Sequence, residues 1–130
     1  MEESKTKILL VEDETSMSNL ISFKLKKEGF KIDVAGDGEE ALNMYFDDNA
    51  DYNVIILDLM LPVLDGLQVL SRIKKNNDKI PVLVLSAKSQ EKNVIEGFKV
   101  GADDYLTKPF SPDELILRVK KLLEKSDDNG

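Results

Sequence analysis

Glu12, Asp13 and Glu14 stand in a row directly after the apolar run Ile8-Leu9-Leu10-Val11, and Asp58 follows a second run, Val54-Ile55-Ile56-Leu57. Ser86 follows a third, Val82-Leu83-Val84-Leu85, and Lys108-Pro109 comes just after Leu106. A carboxylate such as Asp58 at the end of a buried run is costly unless it is paired or metal-bound. Several carboxylates at one point repel one another and call for a cation. Oxygen ligands without histidine or cysteine select a hard ion, most naturally Mg²⁺, which takes a few carboxylates and keeps several waters. Lys108 would be the ion-pair partner of such a cluster. Taken singly, each residue has a plainer reading. The acidic triplet suits a helix N-terminus, a serine commonly follows a strand, and a lysine is most often a surface charge. Their placement on the ends of successive runs is what singles them out.

The rest of the chain narrows the chemistry. It has 130 residues, with no cysteine and no histidine. That excludes disulfides, thiol catalysis, zinc-thiolate sites, serine–histidine triads and the usual transition-metal centres. Lys+Arg 18 against Asp+Glu 25 leaves a net charge of −7, the wrong sign for holding nucleic acid or anionic lipid alone. The opening Met1-Glu2-Glu3-Ser4-Lys5 does not read as a signal peptide, and no apolar run is long enough to span a membrane. The expectation is a soluble cytoplasmic domain working with carboxylates, hydroxyls, amines and a hard metal ion.

Those residues need elements to position them. Runs that are apolar on consecutive positions suit strands covered on both faces, as in a parallel sheet. Weaker strand candidates are Phe30 to Ala35 and Asp104 to Leu106, the latter at an edge. Between them lie stripes with helical spacing: Met17, Leu20, Ile21 and Leu25, closed by Gly29 at C′; Ala41, Leu42, Tyr45 and Phe46; Leu67, Leu70 and Ile73; Val94, Ile95 and Phe98. The last stripe is Leu115, Ile116, Val119, Leu122 and Leu123, opened by Ser111-Pro112-Asp113-Glu114 in the arrangement of a capping box. Five alternations of strand and helix predict an open α/β sheet with helices on both faces and right-handed crossovers. Ligands bind such sheets beyond the carboxyl ends of the strands. With strand order 2-1-3-4-5, Glu12, Asp13, Asp58, Ser86 and Lys108 converge on one patch. A single domain is expected over 1–130, its core about 5–124, with 125–130 a polar tail or the start of a linker.

Over about residues 5 to 124 the chain resembles the receiver domains of two-component response regulators. The matching segments are Ile8 to Glu14, Leu57 to Pro62, Asp65-Gly66, Leu85-Ser86-Ala87, Gly101 to Leu106 and Lys108-Pro109-Phe110. The wording of the last two is most similar to receivers that carry a winged-helix DNA-binding domain behind them. The resemblance implies a flavodoxin-like (βα)5 fold and a signalling role rather than an enzyme. Asp58 would accept a phosphoryl group from a phosphohistidine on a sensor histidine kinase. Glu12, Asp13, Asp58 and the backbone carbonyl of Met60 would hold Mg²⁺. Lys108 would neutralise the phosphoryl oxygens, Ser86 would donate a hydrogen bond to one of them, and Tyr105 would turn inward when Ser86 moves. Lys108-Pro109 is expected to be cis.

The resemblance also implies a phosphorylation-dependent homodimer through the fourth helix, fifth strand and fifth helix. Apolar Ile95, Phe98 and Ile116 would form its centre, and Asp103, Asp104, Glu114, Arg118 and Lys120 its charged rim. An alternative is a metal-dependent aspartyl-phosphate phosphotransferase or phosphatase. Enzymes of that kind need a second acid two residues after the nucleophile, where this chain has Met60.

Overall fold

In the runs after Lys7, after Asn53 and after Pro81, four consecutive apolar residues hide both faces of an extended chain, and all three become strands. The computed structural model describes residues 6–87 and 91–129, with backbone only for 91 and 126–129. The elements are β1 (Lys7–Val11), α1 (Thr15–Lys27), β2 (Lys31–Ala35), α2 (Gly38–Tyr45), β3 (Val54–Asp58), α3 (Gly66–Asn76), β4 (Val82–Ala87), α4 (Glu91–Val100), β5 (Asp104–Lys108) and α5 (Pro112–Asn129). They form one five-stranded parallel sheet in the order β2-β1-β3-β4-β5. This is the expected flavodoxin-like architecture. Helix α5 continues to Asn129, past the boundary expected near 124, and Gly130 lies outside the described residues.

Alternate strand residues feed two cores, as the two-residue period of a strand requires. Leu9, Val11, Ile55, Leu57 and Val84 face Ala41, Val69, Leu70 and Ile73 of α2 and α3. Ile8, Leu10, Ile56, Leu83 and Leu85 face Ile21 and Leu25 of α1 and Leu115, Ile116 and Val119 of α5. The central strands β1, β3 and β4 are buried almost throughout, whereas β2 and β5 are the half-exposed edges.

Several local expectations hold and others shift. Gly29 sits at C′ with φ 94°, where its N–H bonds Lys26 and the Phe30 N–H bonds Leu25, the paired bonds of a Schellman cap. The inner face of α1 is Ser18, Ile21, Ser22 and Leu25, so Leu20, expected inward, is exposed. Ser111 caps α5 by accepting from the Asp113 N–H, but the Glu114 carboxylate reaches forward to Arg118 and does not close a capping box. In α4 only Gly97 is buried among the described side chains, and Ile95 and Phe98 lie outward. Ile116, expected at the centre of an outward apolar patch, packs into the α1–α5 core because it shares a helix face with Leu115 and Val119.

At the end of the sheet opposite the strand carboxyl termini, Lys74 is buried with its charge fully matched. Its Nζ donates to the carbonyls of Asp78 (3.2 Å) and Ile80 (2.6 Å) and to Asp103 Oδ2 (2.8 Å). Asp103 Oδ2 also accepts from the Val82 N–H. Asp103, expected on the rim of a surface patch, is instead drawn into this brace. Gly101, at φ 131°, lies over the Lys74 stem, where a Cβ would come within 3.2 Å of it.

Gly66, the first residue of α3, presses on the end of β3. A Cβ there would lie 2.6 Å from Leu59 Cα and 2.8 Å from the Asp58 carbonyl oxygen. Gly66→Ala should therefore cost about 1–3 kcal/mol through overpacking. Urea midpoints would measure it, and an unchanged midpoint would mean that the strand end gives way freely.

Candidate functional site

Parallel strands that all end on one side bring their terminal residues together. Asp58 is the last residue of β3, Glu12 follows β1 directly, and Lys108 closes β5. The Asp58 and Glu12 side chains are buried, whereas Asp13 is exposed. One carboxylate oxygen from each of Glu12, Asp13 and Asp58 lies within 4.8 Å of the others. All-oxygen donors at this spacing fit a hard divalent cation rather than a soft one.

Every oxygen of the buried acids has a partner. Lys108 Nζ lies 2.6 Å from Asp58 Oδ2 and 3.1 Å from Glu12 Oε1. The Met60 N–H donates to Asp58 Oδ1 at 2.9 Å, and the Glu14 N–H to Glu12 Oε2 at 3.2 Å. Burial, and then the charge of Asp58, push the Glu12 carboxyl up to about 7. For Lys108 burial works downward, but the bonds and charges of Asp58 and Glu12 outweigh it, and its ammonium is held above the usual lysine value. Lys108-Pro109 is a cis peptide, as expected.

Ser86 is fully buried on β4 beside the cluster, with its hydroxyl donating to the Ala87 carbonyl at 3.0 Å. Tyr105 on β5 is 40% exposed, and its ring stands edge-on to Phe98 with centroids 5.4 Å apart. Beyond them, Arg118 Nη1 bonds Asp104 Oδ1 and Oδ2 at 3.0 Å each, and its Nη2 bonds Glu114 at 3.1 Å. Lys120, expected on this same rim, is tied to Glu28 after α1, on another side of α5. The structure thus brings together Glu12, Asp13, Asp58 and Lys108, with Ser86 on the adjoining strand. Separately it groups Ile95, Phe98, Asp104, Glu114 and Arg118 around α4, β5 and α5.

Three features beside the site carried no role in the residue reading. Asp65 accepts from the Leu67 N–H as the N-cap of α3, a role that Asp65-Gly66 before an apolar stripe could have signalled. Val63 has φ 71°, and the Leu64 N–H bonds the Pro62 carbonyl across it at 2.8 Å, a γ-turn that nothing in a β-branched residue announces. Asn93, from the first half of α4, lines a groove of about 440 Å³ together with Asp13 and Met60. Lys88 lies outside the described residues.

The response regulator receiver domain family profile matches residues 8–120. Over 119 residues the chain is 44% identical to the transcriptional regulatory protein SrrA of Staphylococcus aureus, covering 92% of this chain but 48% of that protein. The chain therefore spans about half the length of the curated relatives it matches. Among solved structures, the receiver domain of the Francisella response regulator 1452 superimposes with a TM-score of 0.84 at 43% identity, covering 94% of this chain and 99% of that one. A receiver domain protein from Methanospirillum hungatei JF-1 gives a TM-score of 0.91 at 25% identity, covering 98% and 100%.

The Glu12 geometry has a pH signature. A carboxyl whose native value is about 7 against an ordinary 4.5 binds its proton more tightly in the folded state. Its contribution to stability is present below the ordinary value and is lost as pH rises through the native one. In metal-free buffer, urea midpoints should fall between about pH 4.5 and 7, and Glu12→Gln should flatten that slope. An equally steep profile in the variant would place the titration elsewhere.

Proposed function

The chain belongs to the response regulator receiver domain family, and from that premise we propose that it is a phosphorylation-driven switch with Asp58 as the phosphoacceptor. The observation that carries this reading is the pairing of the buried Asp58 carboxylate with Lys108 at 2.6 Å, beside two further acids. A carboxylate attacks an anionic phosphoryl group only where negative charge is neutralised, and phosphoryl transfer is mostly positioning and electrostatics. Glu12, Asp13, Asp58 and the Met60 carbonyl would hold Mg²⁺, which when bound supplies charge neutralisation at the phosphoryl oxygens. The Met60 N–H orients Asp58 from one side, leaving Oδ2 toward Lys108. The donor is a phosphohistidine of a sensor histidine kinase.

Phosphorylation adds about −1.5 to −2 charges and three acceptor oxygens. Lys108 then turns from the two carboxylates toward the new oxygens, and the Ser86 hydroxyl leaves the Ala87 carbonyl to donate to one of them. That movement clears space on β4 for Tyr105, which parts from Phe98 and swings inward. The surface formed by α4, β5 and α5 is the output, acting through a self-complementary homodimer. With Ile116 and Lys120 engaged elsewhere, its centre is Ile95 and Phe98, and its rim Asp104, Glu114 and Arg118. The whole protein, like the relatives it matches, would regulate transcription.

Asp58→Asn should fold normally and take up no phosphoryl group, because the amide keeps the shape but does not attack. Incubation with Mg²⁺ and phosphoramidate, read by intact mass, should add one phosphoryl group to the native chain, mapped to Asp58, and none to the variant. Uptake by the variant at an unchanged rate would sink the assignment.

The dimer has its own test. Sedimentation with and without beryllofluoride should take the chain from monomer to a weak, salt-sensitive dimer. Arg118→Glu should weaken that dimer, since each rim pair contributes only about 0–1 kcal/mol. No mass change, or indifference to Arg118→Glu, would remove this interface and leave the phosphoacceptor untouched.

A further inference from the structure

Both oxygens of Asp58 are engaged, Oδ1 by the Met60 N–H and Oδ2 by Lys108. Beside the acidic cluster, a groove of about 440 Å³ runs from Asp13 along the β3–α3 loop to α4, next to the residues that flank Asp58. Its wall along Met60, Pro62 and Val63 is apolar, and it carries a carboxylate from each of Asp13 and Asp65. Asn93 enters from α4, half-buried, and its carboxamide makes no hydrogen bond among the described residues. The groove is thus built for something partly apolar that is not an anion, with a neutral amide offering one acceptor and two donor hydrogens.

We propose that this groove receives the leaving group of the phosphoryl donor, and that Asn93 selects a neutral nitrogen leaving group, an imidazole ring above all, over a carboxylate. The inference rests on the phosphoacceptor reading of Asp58. In the transfer an Asp58 oxygen bonds to phosphorus and the P–N bond breaks with its electron pair going to the ring nitrogen. When the other ring nitrogen already carries a proton, the ring departs as neutral imidazole. It fits against the apolar wall, and its N–H donates to the Asn93 carbonyl. An acyl phosphate instead breaks its P–O bond and releases a carboxylate, which Asp65 repels and the apolar wall does not hold. Asn93 is a specificity-determining residue in this scheme, acting on the departing group rather than on phosphorus.

The test compares phosphoimidazole with acetyl phosphate on the full chain with Mg²⁺, each rate per donor concentration read by intact mass. Both donors use the same Asp58, Lys108 and metal, so damage to the fold or the metal site cancels in the ratio of the two rates. The native chain should favour phosphoimidazole. Asn93→Leu should lower that ratio about three- to tenfold, the range of one lost hydrogen bond, and Asn93→Lys should lower it further by attracting the acetate. Independently of turnover and of metal, imidazole alone titrated into the native chain should shift the Asn93 side-chain amide signals in a ¹H–¹⁵N spectrum. A ratio unchanged in both variants, or amide signals that ignore imidazole, would overturn the role of Asn93. If neither donor labels Asp58, the phosphoacceptor reading itself fails and this one falls with it.

Discussion

A carboxylate ending a fully buried strand has to be compensated, and that requirement at Asp58 governs what surrounds it. Water is largely excluded there, so the compensation comes from Lys108 and the Met60 amide. Leaving the buried Asp58 charge unpartnered would cost several kcal/mol. The requirement places a cation at the end of β5, two strands from β3, so the sheet order itself serves the ion pair. The β3–α3 loop beside it folds back on itself, with Gly66 lying on the Leu59 backbone and Val63 at positive φ. Glu12, buried beside the Asp58 charge, keeps its own proton longer than an ordinary carboxyl even though Lys108 works against that.

The sheet was legible because burial on both faces leaves little choice of residue. Runs such as Val54 to Leu57 have no polar position to mislead, and their terminal Asp58 stands out for that reason. Helices read less cleanly, since a helix face tolerates small polar residues. In α1 the inner stripe runs through Ser18 and Ser22, which carry no hydropathic signal, so Leu20 looked more inward than it is. In α4 Ile95 and Phe98 mark the outside, because Gly97 is what meets α3 at Leu67 and Leu70. Apolarity alone does not say whether a stripe faces its own core or another molecule.

Charged residues were the least legible. Lys74, Lys108 and Lys120 have one side chain and three different fates: a brace, a site and a tie to Glu28. Lys108 stood out by its place at a strand end, Lys120 was expected on a rim that it does not join, and Lys74 carried no signal at all. The partners of the other two lie 29 and 92 residues away in the chain, beyond any local pattern. Glu114 similarly has two acceptable local roles, a cap or an i,i+4 ion pair, and the presence of Arg118 one turn on decides for the second.

The brace around Lys74 has a consequence for which substitutions this chain can accept. Three oxygens surround one ammonium, and the Gly101 backbone rests on its stem, so the site suits a compact point charge with three donors. A guanidinium is planar, larger and carries five donors, so arginine would not be a conservative replacement. Lys75, the next residue along α3, faces solvent and is free of that constraint. Two adjacent lysines, indistinguishable in composition and charge, should therefore drift at very different rates as this sequence diversifies, one almost fixed and the other close to neutral.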